Sequence, residues 1–290
     1  MTFTQLETFI ALAESASFSR AAMRMGTSQS AVSHCIKALE QQLKARLVDR
    51  QLGLELTQAG QRLLLRAREM TALAAISQQE VHDAGDLKAG TVRIASFGPT
   101  SSMQLLPAWM ALFKARYPNA QVRVEEESDE RVDAWLLQRR SELGFVVLPD
   151  LRFETKLVLR DELVAIVPAS DPLAKARRLV LGKLSGREFV MTQAGGGAVI
   201  EPMLQRLNVR PKILHHLTQM SSIVEFARQG LAISIAARAA LPQAPKGVVY
   251  LPLTPAQPRQ VGLACLSADK LSPLARAFWD MVPDQAVTIR

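Results

Sequence analysis

Residues 18–40 read FSRAAMRMGTSQSAVSHCIKALE, and their spacing predicts two short helices joined by a tight turn at Gly26. Ser19 is placed to cap the first helix, whose Ala21, Ala22 and Met25 face inward. Glycine ends a helix readily because it enters the left-handed region without a Cβ clash. Ser28 then stands where its hydroxyl can accept an N–H left open at the start of the second helix. Ala31, Val32, Ile36 and Leu39 recur at helical spacing and form the inward stripe. Gln29, Ser30, Ser33, His34 and Lys37 fall on the opposite side. A face of amide, hydroxyl, imidazole and ammonium groups on a short helix suits base edges and phosphates in a major groove. A solvated helical hairpin would carry the same pattern, so the surrounding sequence has to decide.

The chain has 290 residues, 48% of them hydrophobic, which is enough for two or three domains with sizeable cores. No apolar run approaches the roughly 20 residues that cross a bilayer. The first residues, MTFTQLETFIALAE, lack a basic stretch followed by an apolar one, so they do not read as a secretion signal. Cys35 and Cys265 are too few and too far apart for a disulfide framework, which fits a reducing cytoplasm. The net charge is +8, but it is unevenly placed. Residues 1–90 hold ten Lys/Arg against nine Asp/Glu, and the rest hold 25 against 18. Bulk charge therefore does not support the groove-reading helix, because the field at a phosphate depends on where the charges sit.

The first 57 residues read as one unit. Thr4 and Glu7 have capping-box spacing ahead of a helix from Thr4 to Ser15, and two short strands follow, at Leu47–Arg50 and Leu54–Thr57 around Leu52 and Gly53. Between Gln58 and Leu87, Leu63, Ala67, Met70, Ala74, Ser77 and Val81 recur at heptad steps. That is a seam on a helix of about 30 residues, about 45 Å long. A second copy of the helix, or the chain's own domain, could cover it. The intermolecular coiled coil is the expectation, with Leu63, Ala67, Met70, Ala74 and Val81 in the dimer seam. Gly85 to Gly90 form a hinge. From Thr91 onward short apolar runs alternate with amphipathic helices such as Met103–Tyr117, Ala198–Leu207 and Ser222–Gln229, the signature of parallel sheets with crossover helices. The expected strands are 92–96, 122–126, 143–148, 162–168, 188–192, 213–218, 231–236 and 261–266.

The N-terminal block resembles the LysR-type transcriptional regulators. FIALAESASFSRAAMRMGTSQSAVSHCIKALEQQLKARLVDR, followed by LTQAG at Leu56–Gly60, is similar to that family's winged helix-turn-helix. Farther on, Arg116–Asn119 and the GLAISIA run at Gly230–Ala236 are looser markers. The resemblance implies an α+β winged helix-turn-helix DNA-binding domain over 1–57 and a linker helix with its hinge over 58–90. It implies an α/β, two-lobed effector domain like a periplasmic binding protein over 91–290. Lobe I would take about 91–165 and 266–290, and lobe II about 166–265. It further implies a homodimer or homotetramer on double-stranded promoter DNA, a small-molecule effector between the lobes, RNA polymerase as a possible further partner, and no enzymatic activity. A solute-binding-type sensor domain without a dedicated effector is the alternative. Ser28, Gln29, Ser30, Ser33, His34 and Lys37 would lie in or beside the major groove, with Arg50 reaching phosphates. Ser30 stands where the family often has proline, Cys35 where glutamine is common, and the wing is short and carries Glu55. These departures leave Arg50 with most of the wing contact.

In the second part, strand ends run into polar helix starts at Ser96 with Thr100, Ser101 and Ser102, at Ser128, at Thr192 with Gln193 and Gly196, and at Thr218. Ligands of open α/β sheets bind beyond the carboxyl ends of strands, where helix N–H groups favour anions. These residues are the expected site for a polar or anionic metabolite, although each singly could be only a helix cap. Gly195–Gly197 lack the Lys-Ser/Thr of a nucleotide loop, so ATP is not implied, and no cofactor is expected. His215 and His216, adjacent on a strand, point to opposite faces and do not share a metal. Cys265 in LACL reads as a core residue.

Overall fold

The computed structural model describes residues 1–49, 54–83, 90–192, 197–283 and 286–288. The chain divides into two compact units, the first built on residues 1–85 and the second on 86–290 apart from 138–140.

The first unit opens with helices α1 (Phe3–Ser15), α2 (Phe18–Arg24) and α3 (Gln29–Leu43). The short strands β1 (Val48–Asp49) and β2 (Glu55–Leu56) pair antiparallel, and helix α4 (Gln58–Asp83) follows. The caps fall on neighbours of the expected residues. Thr2 and Gln5, rather than Thr4 and Glu7, make the capping box of α1. Ser17, rather than Ser19, accepts the Arg20 N–H at the start of α2. Phe9, Leu12, Ala21, Val32, Ile36, Leu39 and Leu47 are completely or almost completely buried in one core. Ala31 lies one position off this stripe and is exposed, contrary to the expected inward placement.

The second unit runs β3 (Gly90–Ser96), α5 (Pro99–Gln104), α6 (Leu106–Arg116), β4 (Ala120–Glu126), α7 (Asp129–Leu137), β5 (Leu143–Leu148) and β6 (Glu154–Pro168). It continues through β7 (Leu179–Val180), β8 (Glu188–Thr192), α8 (Gly197–Arg206), β9 (Lys212–Leu217), α9 (Met220–Arg228) and β10 (Ile233–Ala237). The last elements are β11 (Val248–Thr254), β12 (Pro258–Cys265), α10 (Pro273–Met281) and β13 (Val287–Thr288). Neighbouring strands follow the order β4-β3-β5-β12-β6-β10-β8-β9, and β11 also pairs β6. The β3–β4, β3–β5, β8–β9 and β8–β10 pairs are parallel, as the alternation of strands and helices predicts. β12 runs antiparallel to β5 and β6, and β6 runs antiparallel to β10, β11 and β12 and parallel to the short β13.

Two apolar cores form on this one sheet. The first gathers Val92, Ile94, Phe113, Phe145, Leu159, Leu263 and Phe278, and the second Leu163, Ile166, Phe189, Ile200, Ile223, Ile235 and Leu253. β6 therefore changes core between Leu159 and Leu163, rather than at the expected position near 165. β12 does not belong to the second lobe: Val261, Leu263, Ala264 and Cys265 pack in the first core, so the chain returns before Pro258. Each is an apolar strand, and only long-range pairing with β5 and the first half of β6 decides where β12 goes. Strands β7, β11 and β13 and helices α7 and α10 go beyond the sequence expectations, and the expected helix Met103–Tyr117 is broken at Leu105 into α5 and α6.

Candidate DNA-reading helix and effector site

Gly26 adopts φ 61, a left-handed turn, and the Thr27 N–H returns to the Ala22 carbonyl. The Ser28 hydroxyl accepts the Ala31 N–H at 3.1 Å and starts α3 as its sequence position suggests. With Val32, Ile36 and Leu39 buried, Gln29, Ser30, His34 and Lys37 are exposed and Ser33 is half-buried. Ser30 lies 2.9 Å from the capping hydroxyl. Ser19 donates to Gln29 Oε1 at 3.1 Å, which leaves the exposed amide its NH₂ donors. Cys35 is half-buried. Arg50 lies outside the described residues. Glu40, which the sequence reading passed over, accepts the N–H groups of Leu47 and Val48 at 2.8 and 3.3 Å and ties the end of α3 to β1. A carboxylate on a helix exposes no sign of such a bond in sequence, because its partners are backbone.

The heptad seam is partly spent inside the chain. Ala67 is fully buried and Leu63 packs on the core of the first unit, where α4 lies against α1. Ala67 is therefore closed off within its own chain, and Leu63 is half-covered there. A heptad pattern reports that a partner exists and not which one. Met70 and Ala74 are half-buried, Leu65 and Leu73 are exposed, and the Val81 side chain lies outside the described residues.

The polar residues at the strand ends of the second unit separate into two groups. Ser96 and Ser101 are wholly buried and hydrogen-bond each other at 2.6 Å; Ser96 also meets Ser102 at 2.7 Å, and Ser102 donates to Glu126 at 2.6 Å. They satisfy one another at the start of α5, so Ser96 and Ser101 do not present hydroxyls outward, contrary to expectation. Ser128 is half-buried and its carbonyl accepts the Val132 N–H. Thr192 is buried at the end of β8, and Thr218 is exposed just beyond β9. Gln193 and Gly196 lie outside the described residues.

A charged centre that the sequence reading missed lies where β6 and β12 cross. Arg259 and Asp161 have side chains 1% and 0% exposed, with Nη1 and Oδ2 3.6 Å apart. Arg259 Nη1 also reaches Thr100 Oγ1 at 3.4 Å, and its guanidinium lies 4.9 Å from the Phe97 ring centroid. Asp161 Oδ1 accepts the N–H groups of Glu162 and Ala239. Burial lowers the Arg259 pKa against the opposing pull of Asp129 and Asp161, and burial raises Asp161 despite Arg259. Asp129, in the first turn of α7, is pushed up to about 6 by burial, with Arg259 pulling it down and Glu130 and Asp133 pushing it farther up. Among the described residues no group of three His, Cys, Asp or Glu comes together to hold a metal. Cys265 is buried, its thiol raised to about 12 by burial, so it is an unreactive core residue.

A raised carboxyl pKa has a definite sign. Between about 4, the unfolded value, and 6, the folded protein holds a proton on Asp129 that the unfolded chain releases, so stability falls as pH rises through that window. Urea unfolding at pH 5 and pH 8 should show the wild type losing about 1–2 kcal/mol more than Asp129→Asn. Equal losses would mean that Asp129 titrates normally.

The described residues form no helix long and apolar enough to cross a membrane. Residues 3–61 match the model of the bacterial regulatory helix-turn-helix protein, lysR family, and residues 85–287 match the LysR substrate binding domain. The chain belongs to the LysR family of transcriptional regulators, which are DNA-binding proteins with an effector-binding domain and not enzymes. It is similar to the probable HTH-type transcriptional regulator LrrA of Synechococcus elongatus, at 31% identity over 100% of this chain and 99% of that one. It is also similar to the HTH-type transcriptional regulator YvbU of Bacillus subtilis, at 27% identity over 98% of each. In structure it resembles full-length OxyR of Pseudomonas aeruginosa, with a TM-score of 0.68 at 21% identity over 97% of this chain and 93% of the other. CbnR, a LysR family regulator, gives a TM-score of 0.65 at 22% identity over 97% and 98%.

Proposed function

We propose that this regulator reads duplex promoter DNA with α3, as a dimer or tetramer, and that a small molecule bound in the second unit modulates it. The division into a reading head over 1–57, a linker over 58–90 and an effector domain over 91–290 goes with this proposal. The observation that carries it is the two-sided character of α3. Its buried Val32, Ile36 and Leu39 anchor the helix, and Gln29, Ser30, His34 and Lys37 stand outward from the Ser28 cap. CbnR, similar over 97% of this chain, has been crystallised in complex with its target DNA. Gln29 suits a bidentate contact with adenine and Lys37 a phosphate or guanine. For assembly, exposed Leu65 and Leu73, with half-buried Met70 and Ala74, replace Leu63 and Ala67 as the face for a second α4. The effector would bind beyond the strand ends that carry Ser102, Ser128, Thr192 and Thr218. A change in the arrangement of subunits would then alter how the promoter is held.

Gln29→Ala combined with Lys37→Ala should weaken operator binding roughly a hundredfold, at about 1–3 kcal/mol per lost contact. Melting temperature should not change, since both side chains are exposed. Retained affinity in a gel-shift titration would reject α3 as the reading helix.

A further inference from the structure

Four buried polar atoms without a hydrogen-bond partner belong to one charged centre: Nε and Nη2 of Arg259, Oδ2 of Asp161 and Oδ1 of Asp129, whose charges act on one another. The two donors are not scattered. Nε–H and Nη2–H form one side of the guanidinium fork, with the parallel geometry that a carboxylate accepts through both oxygens. Nη1, on the other side, meets Thr100 and Asp161. The centre thus holds a buried two-donor edge that makes no hydrogen bond, together with two carboxylate oxygens that accept none, among the described residues.

Charge decides among ligand classes. Asp129 and Asp161 already oppose the single charge of Arg259, and Ser102 holds the Glu126 carboxylate at the adjacent start of α5. A simple anion would add negative charge to a centre that carries at least one carboxylate per cation. A simple cation would leave the guanidinium edge unpaired, and unpaired buried donors are expensive. A molecule with both charges on neighbouring atoms adds no net charge and pairs both sets.

We propose that this centre recognises a zwitterionic α-amino acid, its carboxylate on the Nε/Nη2 edge of Arg259 and its ammonium shared by Asp129 Oδ1 and Asp161 Oδ2. The proposal rests on the reading of the second unit as an effector-binding domain and names the class of effector. Phe97 covers the guanidinium face, and Thr100 and Asp161 hold the fork in register. The groups that face Asp129 are Glu130 and Asp133 on its own helix and Arg259 on β12. An ammonium placed there displaces the Asp129 proton, so binding tightens as pH rises through about 6.

The test uses the full-length protein, thermal-shift assays and titration calorimetry. The twenty L-amino acids form one set of probes, and acetate, benzoate, succinate, putrescine and glucose the other. At least one amino acid should raise the melting temperature, while its des-amino acid and its decarboxylated amine should not. Arg259→Lys and Asp129→Asn should each weaken that binding tenfold or more, and wild-type affinity should rise severalfold from pH 5 to pH 7. Asp129→Asn decides the matter if Arg259→Lys does not fold. Analogues that bind as well as the amino acid, or Asp129→Asn binding like wild type, overturn the proposal. A shift with the second set and none with any amino acid overturns the zwitterion while the effector-binding reading stands. Silence from both sets overturns the zwitterion and removes the support of ligand binding from the broader reading.

Discussion

Gly60→Ala should unfold the first unit under conditions where the wild type is folded. Gly60 lies in the first turn of α4, where a Cβ would stand 2.1 Å from the Leu47 carbonyl oxygen and 3.1 Å from its carbon. No side chain can move aside, because both contacts are backbone. The Leu47 carbonyl accepts the Thr57 N–H at 3.0 Å, and the Gly60 N–H donates to Thr57 Oγ1 at 3.0 Å, so both partners are pinned by the same turn. Leu47 itself is 1% exposed, which blocks retreat into the core. Overpacking typically costs about 1–3 kcal/mol, and a backbone clash this close belongs at or above the upper end, near 3 kcal/mol. Against the about 5–15 kcal/mol of a typical domain this is a large fraction. Thermal unfolding should show an earlier transition for the first unit, and operator binding should disappear between that transition and the wild-type one, while ligand-dependent melting of the second unit persists. A normal melt would mean that α4 does not approach β1 so closely.

Arg68→Met should have the next largest effect, by stripping a buried carboxylate of a partner. Arg68 Nη2 lies 3.0 Å from Glu14 Oε1, with both side chains 9% exposed. Burial alone would raise the Glu14 pKa, but the Arg24 hydrogen bond and the charges of Arg24 and Arg68 bring it below the ordinary value. Removing one member of a buried pair strands the other, at about 3–5 kcal/mol. The exposed Arg24 still pairs with Glu14, so a loss of about 2–3 kcal/mol is expected, at the low end of that range. Methionine keeps the apolar stem of the side chain and isolates the charge. Glu14 has a lowered folded pKa, so its stabilisation is present above the unfolded value and lost as pH falls through the folded one. The gap between wild type and variant in chemical denaturation should therefore narrow from pH 7 to pH 3. A gap independent of pH would assign the loss to packing and to the hydrogen bond that Arg68 Nη1 donates to Gln138.

The helix-turn-helix could be read from sequence because its determinants are local. The Gly26 turn, the Ser28 cap and the Val32, Ile36 and Leu39 stripe each act within a few residues. Capping residues slipped by two positions at Thr2 and Ser17, since Thr and Ser recur closely there and only backbone geometry selects among them. The seam of α4 is visible as a pattern, but Ala67 is buried within its own chain, where α4 lies against α1. Arg259 gave no signal at all. It stands near the start of an apolar strand, and its burial depends on Asp129 and Asp161, about a hundred residues earlier. The serines at the start of α5 were visible as polar residues at a strand end. Their mutual hydrogen bonds, which withdraw Ser96 and Ser101 from any ligand, depend on the tight approach of that turn.

β6 serves two cores, and β12 fills the gap between β5 and β6 only after the chain has run through the second core. This has a consequence for synthesis on the ribosome. Strands β3 to β5 emerge early with apolar faces that wait for β12 and α10. The second core, residues 163–254, has by then been delivered whole and can close by itself. The part of the effector domain that is begun first is thus the part finished last. Until Cys265 has left the ribosome the nascent chain carries an open sheet edge beside the second core, and until Val282 has followed it that sheet keeps an uncovered apolar face.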